Sequence, residues 1–117
     1  MKVSHVMLGV SDIERSVSFY RDKLGFTLQN RFESFAFFDG GTMTLALSGD
    51  IWNHAGKAAG AMQVVLGVDN VKESYATLKA KGVEFLNEPR NVNGRDWAAN
   101  FRDPDGHLLS IFGPPGE

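Results

Sequence analysis

The chain has 117 residues, a formal charge of −2 and no cysteine. A hydrophobic share of 43% with 11% aromatics supplies a packed core, which excludes disorder, and the scattered basic residues argue against a nucleic-acid surface. The lack of cysteine excludes a disulfide framework, a thiolate metal site and a cysteine nucleophile, and no apolar run reaches the roughly 18 residues of a membrane span.

The opening MKVSHVMLGVSD is too short and too alternating for a signal peptide, so a cytoplasmic location is expected. Its apolar alternation reads as a first strand. Ser11-Asp12-Ile13-Glu14 then has the form of a capping box, with the Ser11 oxygen facing the first turn of a helix. Ile13, Val17, Tyr20 and Leu24 recur at helical spacing and form one buried stripe. Gly25 suits the left-handed position that ends the helix. Three strand-like runs follow at Phe26–Phe32, Ser34–Asp39 and Thr42–Ser48, with a hairpin turn at Asp39-Gly40-Gly41.

The order then repeats. HVMLGVSDIERSVSFYRDKLGFTL (5–28) lies over QVVLGVDNVKESYATLKAKGVEFL (63–86), so that Val6, Leu8, Gly9 and Val10 fall on Val64, Leu66, Gly67 and Val68. The second helix has Asp69 or Asn70 as its cap, the stripe Val71, Tyr75 and Leu78, and Gly82 as its stop. Strand-like runs follow at Val83–Asn87, Arg95–Arg102 and His107–Phe112, with Asp105-Gly106 as the second hairpin turn. The fold class is therefore α+β, a tandem of two βαβββ modules. Module one spans residues 1–49, a linker rich in Gly and Ala spans 50–60, and module two spans 61–117.

The tandem arrangement, the DPDG turn at 103–106 and the opening SHVMLGVSDIERSVSFYRDKLGF together resemble the vicinal oxygen chelate superfamily. That superfamily includes glyoxalase I, extradiol dioxygenases and bleomycin-resistance proteins. The resemblance covers residues 3–113 and implies modules whose sheets form a half-open barrel around a pocket, in chains that pair as homodimers. It also implies four metal positions in the family's enzymes. Each module offers one ligand from its first strand, usually His, and one from its last, usually Glu.

This chain keeps little of that set. His5 stands on the first position, and a neutral imidazole there suits Zn, Ni, Fe or Mn. Gln63 stands on the matching position of module two, where its amide is a weak ligand. The fourth-strand position falls at Ala46, which has no donor atom, and the eighth-strand position falls at Ser110, which brings no charge. No catalytic residue is assigned, and no metal residue beyond His5.

The aromatics point to binding. Alternation puts Phe35 and Phe37 on one strand face and Phe38 on the other. Trp52, in a Gly/Ala-rich connection, and Trp97 are candidates to flank a groove and stack on a flat ligand. The candidate ligand-binding set is His5, Phe37, Trp52, Gln63, Trp97 and Ser110. The expected function is metal-free binding of a small molecule, with an antibiotic or other planar toxic ligand sequestered in a dimer groove. No cofactor, nucleic acid or membrane partner is expected. The other reading is a metal-dependent glyoxalase, lyase or dioxygenase type of enzyme that uses His5 with Zn, Ni, Fe or Mn.

Overall fold

The first strand, β1 (His5–Gly9), pairs in parallel with a strand nearly forty residues later, β4 (Thr44–Ser48). Between them run α1 (Ile13–Ser18), β2 (Thr27–Arg31) and β3 (Phe35–Asp39), and the strands lie in the order β1-β4-β3-β2. A computed structural model describes residues 3–54 and 62–116 of the chain. The chain divides into two compact units, 1–58 and 59–117.

In the first unit the α1 cap is Asp12, one residue later than the capping box predicts. Its backbone is extended (φ −137°, ψ 101°), and its carboxylate accepts from the Arg15 amide at 3.1 Å. Ser11 and Asp12 are both good caps, and here the Ser11 hydroxyl accepts instead from the Arg15 guanidinium at 2.9 Å. Nor does the helix stay α-helical to Gly25. From Phe19 to Lys23 it widens into a π-helical turn, closed by the Leu24 amide on the Phe19 carbonyl at 3.1 Å. Phe19 and Tyr20 are both buried there, their rings edge to face at 5.3 Å. Gly25 ends the turn at φ +83°, as the sequence predicts.

The α1 side of this sheet is the core of module one. Tyr20 lies 6.0 Å from Phe38, and Phe26 lies 6.5 Å from Phe38. Phe38, Leu45 and Leu47 are buried on that side. The predicted linker begins as a second short helix, α2 (Gly49–His54), whose Ile51 amide donates to the Ser48 hydroxyl at 3.1 Å. It packs tightly on β1. A Cβ on Gly9 would stand 3.0 Å from both Ile51 Cγ2 and the Trp52 amide nitrogen, so a larger residue there would push α2 outward by a few tenths of an ångström. Linker residues 55–60 lie outside the described residues.

The second unit repeats the path as β5 (Gln63–Gly67), α3 (Val71–Ala80), β6 (Arg90–Asn91), β7 (Trp97–Arg102) and β8 (Leu108–Gly113), in the order β5-β8-β7-β6. Both sheets are open, each mixing one parallel pair with antiparallel ones. Asn70 is the α3 cap, accepting from the Glu73 amide at 3.0 Å, and the Pro114 and Pro115 carbonyls take the next two orphan amides, Val71 and Lys72. The predicted strand Val83–Asn87 is not a strand. It shrinks to a single bridge, Phe85 to Phe101, because the Asn87 side chain accepts the Asn100 amide at 3.0 Å and replaces the ladder there. The run predicted to start at Arg95 becomes a strand only at Trp97. The Asn93 side chain accepts from the Arg95 and Asp96 amides and holds the preceding residues in a loop.

The DPDG turn forms as predicted. Buried Asp103 accepts from the Asp105 and His107 amides at 2.9 Å each, which ties the turn to the start of β8.

Candidate functional site

The side of the first sheet away from α1 is set by register. His5 pairs with Thr44, Met7 with Ala46 and Gly9 with Ser48, while Phe37 pairs with Ala46 and Phe35 with Ser48. Directly paired residues share a face, so His5, Met7, Phe35, Phe37 and Ala46 stand together. The rings form a ladder. Phe37 meets His5 edge to face at 6.0 Å, Phe32 edge to face at 6.1 Å and Phe35 in a stacked arrangement at 6.3 Å. Phe35 and Phe37 are half-buried, whereas Phe32 and His5 are exposed. The division expected for Phe35, Phe37 and Phe38 is the one observed. Phe32 was legible only through its ring contact, since it lies just beyond β2.

His5 has one ring nitrogen occupied, Nδ1 lying 2.7 Å from the Ser4 hydroxyl. Nε2 is left as the atom on which a ligand or proton would be held. Arg31 at the end of β2 is held by Glu14 of α1 and donates to the Glu33 carbonyl at 3.2 Å. That brace shapes the turn leading to Phe35. Trp52 is half-buried on α2, its backbone seated against Gly9 of β1.

In the second unit the corresponding face carries Gln63, Val65, Asn100 and Ser110. Val65 and Asn100 both pair with Ser110. Ser110 is buried at 3% exposure, and Gln63 is exposed. Trp97 does not join this face. It pairs with Gly113, three residues from the Asn100–Ser110 pair, and so stands on the α3 side. There Lys72 of α3 sits 5.0 Å from its ring. Phe101, Phe85 and Tyr75 complete that side, with ring distances of 5.3 and 4.6 Å. Exposed Arg95 reaches buried Asp96 at 3.6 Å in the hairpin.

The four family metal positions hold an imidazole, a carboxamide, a methyl group and a hydroxyl, at His5, Gln63, Ala46 and Ser110. Ser48, the other hydroxyl on the first face, is used as the cap of α2. Among the described residues no three His, Asp or Glu side chains gather into a group that could hold a metal ion. A protein site for a divalent ion calls for three or four ligands, usually with carboxylate charge. This donor set does not fit one.

Two sheets of order 1-4-3-2, each with a helix on one side and a parallel outer pair, define the class of tandem βαβββ proteins. The family model for the Glyoxalase/Bleomycin resistance protein/Dioxygenase superfamily matches residues 2–111, and the chain belongs to that superfamily. It is 30% identical to a lactoylglutathione lyase of Haemophilus influenzae, over 96% of this chain and 92% of that one. It is 31% identical to a bleomycin resistance protein of Geobacillus stearothermophilus, over 90% and 91% of the two chains. Among solved structures, TnmS3, an antibiotic-binding protein from Streptomyces sp. CB03234, superposes with a TM-score of 0.82 at 26% identity, covering 97% of this chain and 96% of its own. No helix among the described residues is long and apolar enough to cross a membrane.

Proposed function

We propose that this chain is a metal-free binding protein for a planar small molecule, an antibiotic or another toxic compound, acting as a cytoplasmic homodimer. The observation that carries the reading is the face of the first sheet, where Phe37, ringed by His5, Phe32 and Phe35, pairs with Ala46, the position at which the family's metalloenzymes carry a carboxylate. An aromatic wall with one polar edge suits a flat ligand, with His5 Nε2 giving it direction. Trp52 on the same module is the second stacking candidate. Gln63 and Ser110 offer neutral hydrogen-bonding groups on their own face. The relatives named for bleomycin resistance and antibiotic binding support this reading.

The test is a titration with bleomycin and other planar antibiotics, following tryptophan emission. Saturable quenching is expected. Phe37→Ala should weaken binding by about tenfold through lost stacking and area. Trp52→Phe should abolish the optical response, and Trp97→Phe, on the α3 side, should leave it. Light scattering should report twice the chain mass. No response to any planar compound by the folded protein would remove the reading.

The second reading, an enzyme of the lactoylglutathione lyase type, is favoured by His5 and by the Haemophilus relative. A stoichiometric divalent metal in protein purified without chelator, lost in His5→Ala, would establish that reading in place of the first.

A further inference from the structure

The hairpin loop between β6 and β7 holds the sole Asn-Gly dipeptide of the chain, Asn93-Gly94. Both residues are exposed. The Asn93 side-chain oxygen accepts from two backbone amides, Arg95 at 3.1 Å and Asp96 at 2.8 Å. Its side-chain nitrogen donates to Asp96 Oδ2 at 3.4 Å, and Asp96 is buried. The Gly94 amide donates to Asn91 Oδ1 at 2.7 Å.

From this arrangement we infer that Asn93 is a site of spontaneous deamidation, restrained by Asn91. In the reaction the Gly94 amide nitrogen bonds to Asn93 Cγ while the Cγ–Nδ2 bond breaks. Ammonia leaves, carrying away the proton that Gly94 gives up, and a five-membered imide remains. Water then opens the imide at either carbonyl, giving aspartate or isoaspartate. Two features favour the step. Gly94 has no Cβ to obstruct the attack. The Arg95 and Asp96 amides already point at the oxygen on which negative charge develops. One feature opposes it, since the attacking nitrogen must first give up its hydrogen bond to Asn91.

Conversion changes the loop. The donor to Asp96 is replaced by a second carboxylate beside it, and the formal charge moves by one, from −2 to −3. An isoaspartate also adds a backbone carbon inside the loop that the Val92 amide closes on the Asp96 carbonyl at 2.9 Å. The conversion would therefore loosen the β6–β7 connection.

The experiment incubates the intact protein at mildly alkaline pH and follows each asparagine by peptide mass mapping, with a synthetic peptide of residues 90–96 as the chemical control. Asn93 is expected to convert before every other asparagine. Asn91→Ala should convert roughly threefold to tenfold faster, the effect of releasing one net hydrogen bond. The inference is overturned if the peptide converts while Asn93 in the protein does not, if another asparagine converts first, or if Asn91→Ala is no faster than the wild type.

Discussion

The two modules follow one path and present different chemistry. On the side away from its helix, module one shows a ladder of aromatic rings centred on Phe37, beside Ala46, whereas module two shows Gln63, Val65, Asn100 and Ser110. On the helix side the two agree. A tyrosine of the helix meets a buried or half-buried phenylalanine in each, Tyr20 against Phe38 and Tyr75 against Phe85. The shared fold resides in the helix-side pattern, and the faces away from the helices are free to diverge. A site built on those faces can lose its metal-holding carboxylates without cost to the core, because Ala46 and Ser110 are not part of the helix packing.

The helix-side likeness can be broken first. Phe38 and Phe101 are fully buried at matching positions of β3 and β7. Phe38→Ala and Phe101→Ala should each cost about 3–5 kcal/mol in urea unfolding. A loss confined to one of them would show that the modules are not equivalent in their cores.

The divergent faces are tested next by restoring the carboxylate. Ala46 is flanked in the ladder by Met7 and Phe37, so Ala46→Glu buries a charge among apolar groups and should cost about 2–4 kcal/mol. Ser110 has Asn100 beside it and exposed Val65 on the other side, so Ser110→Glu should cost less, about 1–2 kcal/mol. Equal midpoint shifts would mean that the polar setting of Ser110 brings no relief.

The caps sharpen the comparison further. Asp12→Ala should cost about 1 kcal/mol, as the loss of a helix cap generally does. Asn70→Ala should cost about half of that, because the Pro114 and Pro115 carbonyls still take the Val71 and Lys72 amides. Thermal melts of the two variants decide the order.

The smallest effect is a pH response in module one. The Arg21 guanidinium hydrogen-bonds Asp22 at 2.9 Å and holds its carboxyl below the ordinary value of 3.8. A carboxylate with a depressed folded pKa stabilises fully above its ordinary value and loses that contribution as pH falls through the lower one. The pair is solvent-exposed, so Asp22→Asn should lower stability only slightly at neutral pH, and the difference from the wild type should vanish as pH falls through the lower value. A stability loss at neutral pH equal to that of Asp12→Ala would contradict this.

The sequence by itself determined the βαβββ repeat, both helix-ending glycines, the two hairpin turns and the facing of Phe35 and Phe37 against Phe38. Each of these depends on a local rule, such as strand alternation, helical spacing or the backbone freedom of glycine. The chemistry of the four family positions was equally legible, because it needs only residue identities. Tertiary structure decided the rest. Asp12 took the cap while the Ser11 hydroxyl accepts from the Arg15 guanidinium, because adjacent cap residues compete and residue identity leaves the choice open. Asn87 displaced a ladder hydrogen bond because its side chain meets β7. Trp97 went to the α3 side because alternation orders residues within one strand only, and register with a neighbouring strand settles which side of the sheet they take.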